Sequence, residues 1–268
     1  MPYARLPGVR LYYEQAGRGF PLLLVHGIGN SHRDWEFQIP AFSRWRRVIA
    51  PDLRGYGQSE RAGDYRVERF AADCWALLDQ LGVRRCELLG HSMGGAVVLQ
   101  MAVDQPQRVR RLVAADTLPS FALDTFDKAL MFAFRYALMG LFGPRRLAGR
   151  VAKKLYPEPS QAALRARALA RSRSVDRAVY LETLRRLVSW SVAERLDRLS
   201  MPVLVTAAEH DYFPLSEARA FAAALPHGRF KLFRGRHHEV PLEAPRAFNA
   251  AVLRFLREPA PRRTRLRG

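Results

Sequence analysis

Cysteine is nearly absent from this chain. Only Cys74 and Cys86 occur among 268 residues, and they form no C-x-x-C pair. That excludes a disulfide framework and argues against a structural zinc site. No apolar stretch of about 18 or more residues runs free of charge, so no membrane span is expected. The first residues, MPYARLPGVRLYYEQ, lack the continuous apolar core and the small-residue cleavage site of a secretory signal. A reducing cytoplasm is therefore the expected location. Acidic residues are scarce beside basic ones, 25 against 44, for a formal net charge of +19. Internal repeats and nucleic-acid module signatures are missing too, and the arginines are scattered rather than interleaved with aromatics. No nucleic-acid partner is expected. Abundant arginine on solvated faces accounts for the charge, while an anionic surface or an acidic carrier protein stays open as a partner.

The residues that are present compose a globular chain. Hydrophobic residues make up 49%, and the length suffices for one large α/β domain with an insertion. Strands are expected at VRLYYEQAG (9–17), FPLLLVHG (20–27) and WRRVIAPDLRG (45–55). VERFAADCWALLDQLG (67–82) has helical spacing and a glycine stop. RCELLG reads as a strand, MGGAVVLQMAVDQP as a helix and VRRLVAADT (109–117) as the next strand. From 118 to 199 the rhythm turns helical, with no clear strand, and ALMFAFRYALMGLFG (129–143) is its most apolar part. Alternation resumes with MPVLVTAAEHD (201–211), SEARAFAAALP, RFKLFRG and PRAFNAAVLRFLRE. The segment 259–268, PAPRRTRLRG, reads as a disordered basic tail.

Strands alternating with helices imply a mostly parallel, doubly wound α/β sheet with helices on both faces. The helical run at 118–199 then reads as a lid inserted into a core made of 1–117 and 200–258. Ligands in such sheets bind beyond the carboxyl ends of the strands. Those ends carry His26-Gly27-Ile28-Gly29, Asp52, Ser92, Asp116, Asp211 and the pair His237-His238. Ser92 lies in GHSMGG, at the passage from a strand to a helix. A lone G-x-S-x-G match also occurs in ordinary turns, so the context has to decide.

The context resembles the α/β-hydrolase family. HGIGNSHRDW (26–35), DLRGYGQS (52–59), GHSMGG (90–95), AAEHDYFP (207–214) and HEVPLEAP (238–245) follow the family order over nearly the whole chain. The resemblance implies Ser92 as nucleophile, His238 as base and Asp211 as the orienting acid. His238 stands five residues before Glu243, as the family spaces them; His237 occupies a position where the family usually has glycine and is the alternative base. Asp116 is the alternative acid, or caps the first inserted helix. The backbone N–H groups of Ile28 and Met93 are implied as the oxyanion hole. His26 is expected to brace its loop, His91 to be structural, and His32, His210 and His227 to be solvent or loop residues; DLRGYGQS is expected to be a scaffold loop. No metal and no cofactor are expected.

The lid helix at 129–143 either packs its apolar face on the core or lines an acyl pocket, with Phe134 and Met139 as the pocket candidates. The function expected is that of a serine hydrolase acting on carboxylic esters of small to medium apolar acyl groups. Lactone hydrolysis, carbon–carbon bond hydrolysis and acyl transfer on the same fold are the alternatives, with a non-enzymatic ligand-binding protein behind them.

Overall fold

The computed structural model describes residues 2–258; the basic segment at 259–268 lies outside the described residues. Eight strands form one sheet. In chain order the elements are β1 (Tyr3–Leu6), β2 (Val9–Ala16), β3 (Pro21–Val25), α1 (Gln38–Phe42), β4 (Arg47–Pro51), α2 (Val67–Gln80), β5 (Cys86–His91), α3 (Met93–Asp104) and β6 (Val109–Ala115). Then come α4 (Phe126–Leu155), α5 (Ala162–Arg171), α6 (Arg177–Leu187), β7 (Val203–His210), α7 (Leu215–Ala224), β8 (Gly228–His237), α8 (Val240–Glu243) and α9 (Pro245–Arg257). The spatial order is β1-β2-β4-β3-β5-β6-β7-β8. β1 and β2 pair antiparallel, as do β2 and β4, and every later pairing is parallel.

The central strands are apolar on both sides because both faces are covered. Along β3, Leu23 and Val25 enter one core with α2, α3 and α7, while Leu22 and Leu24 enter another with α1 and α9. Strand alternation thus divides one apolar run between two layers. Each such leucine, taken fully out of water, contributes about 1.5–3 kcal/mol.

Register carries this order to the functional rim. Val25 pairs with Gly90, His91 with Ala115, Ala115 with Thr206, and His210 with His237. The residues just beyond β3, β5, β6, β7 and β8 therefore share one edge of the sheet. They are His26, Ser92, Asp116, Asp211 and His238.

Between β6 and β7 the chain is helical, as its rhythm predicts, but the boundaries differ. The apolar helix expected at 129–143 extends over Phe126–Leu155 as two helices meeting at Gly143 (φ +74°) and Pro144. Proline is tolerated there because a first-turn residue has no intrahelical N–H bond to lose. α6 ends at Leu187, and a separate 3-10 turn covers Ala193–Arg198. Between them an isolated bridge joins Ser120 to Ser191, and the Val192 N–H donates to the Pro119 carbonyl at 2.8 Å. The entrance and exit of the helical stretch are thereby tied together. β1, absent from the sequence expectation, forms a hairpin with β2. Among the described residues no helix is long and apolar enough to cross a membrane.

Candidate active site

Ser92 sits at φ +54°, ψ −122°, between β5 and α3. Its N–H donates to the Ala115 carbonyl at 2.9 Å and its carbonyl accepts from Gly95 N–H at 2.8 Å, which pins the sharp turn. The flanking glycines are sterically required. A Cβ on Gly90 would stand 2.1 Å from the Gly94 carbonyl oxygen, and one on Gly94 would stand 2.1 Å from that of Val25. The turn thrusts the Ser92 side chain off the rim while α3 passes directly behind it.

His238 follows β8. Its Nε2 lies 2.9 Å from Ser92 Oγ and its Nδ1 lies 2.7 Å from Asp211 Oδ1. A carboxylate only accepts, so Nδ1–H donates to Asp211 and Nε2 is left to accept the serine proton. The Asp211 carboxylate also accepts the N–H groups of Tyr212 and Phe213, the latter at 3.3 Å, which aims it back at the imidazole. The sequence alternatives are placed elsewhere. His237 turns to Glu243, which accepts its N–H at 2.6 Å and faces its Nδ1 at 3.2 Å. Asp116 makes no hydrogen bond to His238 and does not cap the first inserted helix, whose cap is Thr125; its Oδ1 accepts the Ala208 N–H of β7 at 3.0 Å. Burial, with Asp211 and Glu239 nearby, holds the Asp116 carboxyl well above the ordinary carboxylate range.

The surrounding histidines are fixed supports. His26 Nδ1–H donates to the Gly27 carbonyl at 2.8 Å, and its Nε2 accepts from Leu53 N–H at 3.1 Å. The bond accepted at Nε2 requires the neutral ring, and burial pushes its basicity below that of ordinary histidine. The ring ties the Ile28 loop to the DLRGYGQS loop. His91 Nε2–H donates to the His238 carbonyl at 2.7 Å, and burial lowers its basicity as well. His32 is no solvent histidine: its N–H and Nδ1 meet Asp52 Oδ1 at 2.7 and 2.8 Å, and the Gln58 N–H reaches Asp52 Oδ2 at 2.8 Å.

Ser92, His91 and His238 open into a cavity of about 940 Å³, part of it open to solvent, roofed by α4 and α5. Met139, Leu147, Val151, Leu155 and Leu164 form its apolar wall, and Ile28 lies at its floor. Of the two pocket candidates, the structure brings only Met139 to the wall. Phe134 is 50% exposed and faces away, because the helix turns that position to solvent.

The sequence profile of the alpha/beta hydrolase fold matches residues 21–245. The chain belongs to the alpha/beta hydrolase fold family. It is 40% identical over 114 residues to 2-hydroxymuconate semialdehyde hydrolase of Pseudomonas sp. (strain CF600), a match covering 40% of this chain and 39% of that protein. A provisionally assigned carbamate hydrolase of Pseudomonas savastanoi pv. phaseolicola is 30% identical over 245 residues, covering 88% of this chain and 93% of the relative. Among solved structures, a thermophilic esterase of Thermogutta terrifontis superposes with a TM-score of 0.81 at 26% identity, covering 96% of each chain.

Several groups in this alpha/beta hydrolase site escaped the sequence reading. Arg135 and Tyr180 line the cavity, as does Glu239 beside His238. The Tyr212 ring packs 4.8 Å from the His238 imidazole. Tyr212 and Glu239 flank Asp211 and His238 in sequence, so adjacency was their one available signal. Nothing local distinguishes Arg135 from the other arginines. Among the described residues no group of three His, Cys, Asp or Glu side chains converges as a metal site would.

Proposed function

We propose that this alpha/beta hydrolase cleaves carboxylic esters of small to medium apolar acyl groups through a serine-bound acyl intermediate. The observation that carries the reading is the hydrogen-bonded chain Ser92–His238–Asp211 at the mouth of an apolar cavity. In this reading Ser92 Oγ attacks the ester carbonyl and its proton passes to His238 Nε2. Asp211 steadies the imidazolium that forms. Met93 opens α3, so its N–H is one of the first-turn donors without an intrahelical acceptor. With the Ile28 N–H it is the proposed oxyanion hole, where the helix N-terminus adds favourable potential. His238 then protonates the departing alcohol. Water, deprotonated by the same ring, releases the acid and regenerates Ser92. The helices at 118–199 act as the lid, and the apolar wall takes the acyl chain at about 0.8 kcal/mol for each buried methylene.

The 40% identity to a 2-hydroxymuconate semialdehyde hydrolase supports a second reading on the same residues, hydrolysis of a carbon–carbon bond. One panel separates the two. p-Nitrophenyl esters of graded chain length and 2-hydroxymuconate semialdehyde are offered to the wild type, Ser92→Ala, His238→Ala and His237→Ala. The expected outcome is ester turnover, lost in Ser92→Ala and His238→Ala down to what binding and the oxyanion donors provide, roughly 10³-fold or more over water. His237→Ala keeps substantial activity. Turnover of the semialdehyde alone would establish the second reading. Undiminished ester turnover in Ser92→Ala would remove both.

A further inference from the structure

Three arginines line the cavity beside Ser92: Arg135, Arg167 and Arg171. Two are committed to carboxylates of the protein. Arg171 donates to Asp34 Oδ1 at 2.8 Å and to Glu36 Oε1 at 2.9 Å, and Arg167 donates to Glu36 Oε1 at 2.9 Å. Arg135 differs. Among the described residues no carboxylate lies within ion-pair distance of it. Its guanidinium instead stands 5.1 Å from the centre of the Tyr212 ring, and that ring is the one stacked 4.8 Å from the His238 imidazole.

A guanidinium keeps its charge at any pH the protein meets, so its desolvation has to be compensated by a partner. Arg135 is half-buried in a helix face that also presents Met139 to the cavity. Glu239 and the rings of Tyr180 and Tyr212 favour its charged state from a distance. Glu239 faces the same cavity, yet its nearer neighbour is His91, at 3.9 Å. Lys154 also lies over the Tyr212 ring, 5.0 Å from its centre, but it is exposed and outside the cavity wall. Among the described residues, the cavity therefore holds one cation with its donor fork unused, one ring's width from the base.

We propose that Arg135 takes a carboxylate of the substrate, so that this enzyme acts on half-esters: molecules with the scissile ester at one end and a free carboxylate a few carbons away. The inference rests on the ester-hydrolase reading above and names its substrate class. The apolar wall packs the methylenes between the two ends, Ser92 meets the ester carbonyl, and the guanidinium receives the carboxylate through paired N–H donors. Arg135 is then a specificity residue that fixes which end of the substrate meets Ser92.

The test compares monomethyl with dimethyl esters of succinate, glutarate and adipate. For at least one chain length the wild type is expected to favour the half-ester in kcat/KM by about tenfold, the size of one charge-assisted hydrogen bond. Arg135→Gln should abolish that preference mainly through KM, Arg135→Lys should restore part of it, and Arg167→Gln should leave the ratio in place. Binding is measured separately by titrating the same half-esters into Ser92→Ala and into Ser92→Ala with Arg135→Gln. Half-ester binding that disappears with Arg135→Gln supports Arg135 as the carboxylate site even where the wild type cleaves no ester, in which case the ester-hydrolase reading falls and takes the half-ester as substrate with it. A wild-type preference for the diester, an equal loss on both ester types in Arg135→Gln, or binding indifferent to Arg135 overturns it.

Discussion

Ser92 is held where an L-residue is strained, at φ +54°, ψ −122°. Such conformations cost of order 1–3 kcal/mol and persist only where the surroundings over-determine them. Here the surroundings are the Ala115 carbonyl, the two flanking glycines and α3. Two substitutions separate strain from chemistry. Ser92→Ala keeps a Cβ and therefore the strain, so its stability should match that of the wild type. Ser92→Gly relieves the strain and adds unfolded-state freedom costing about 0.4–1 kcal/mol, so it should melt above Ser92→Ala. Thermal melts of the two variants are the check; equal or reversed melting temperatures would mean that the turn is relaxed.

At the scale of the element, α4 assigns its side chains to opposite duties within a few residues. Met139 is 1% exposed and lines the cavity, whereas Phe134 is turned to solvent with Phe126, Leu130 and Leu141. Met139→Ala should therefore shift the ester chain-length profile severalfold and cost about 2–5 kcal/mol of stability. Phe134→Ala should do neither, with a stability change within about 0.5 kcal/mol. The measurement is kcat/KM across a homologous ester series, with a melt for each variant. A Phe134→Ala profile that moves as Met139→Ala does would place both residues in the wall. The break at Gly143–Pro144 lets the following helix contribute Leu147, Val151 and Leu155 to the same cavity.

For the molecule as a whole, buried neutral histidines give stability a pH dependence. His26 and His91 both have their basicity lowered below the ordinary value of 6.5 by burial. Below pH 6.5 the unfolded chain gains protons that these rings refuse, so stability falls as pH falls toward their folded-state values. Each ring contributes a slope of up to about 1.4 kcal/mol per pH unit. Asp116 acts in the opposite sense. Its raised carboxyl contributes stability that is full below 3.8 and is lost as pH rises through its folded-state value. His91→Gln isolates one histidine. From urea unfolding between about pH 5 and 6.5, its stability should fall less steeply with acidification than that of the wild type, by up to about 1.4 kcal/mol per unit. Parallel curves would show that His91 takes up its proton in the folded state.

Local sequence determined the elements that carry their own period and punctuation. The apolar runs of β3 and β5, the helical spacing of 67–82 and the glycine pair around Ser92 are each legible without the rest of the chain, because strand and helix periods and φ > 0 turns are properties of a few neighbouring residues. The strand ends offered Ser92, Asp116, Asp211 and the His237-His238 pair, and the resemblance to the α/β-hydrolase family chose Ser92, Asp211 and His238 among them. Only the folded sheet put 2.9 and 2.7 Å between their polar atoms, since that distance depends on the register of β5, β7 and β8. The same register turned His237 toward Glu243 and Asp116 toward Ala208. The phase of α4 about its axis was likewise decided in three dimensions. An apolar run with residues on every side has no preferred face until it is packed, which is why Met139 could be told from Phe134 only there. Arg135 shows the limit most plainly: forty-four basic residues look alike in sequence, and that this one lines the cavity with no carboxylate within ion-pair distance among the described residues is decided only by the fold.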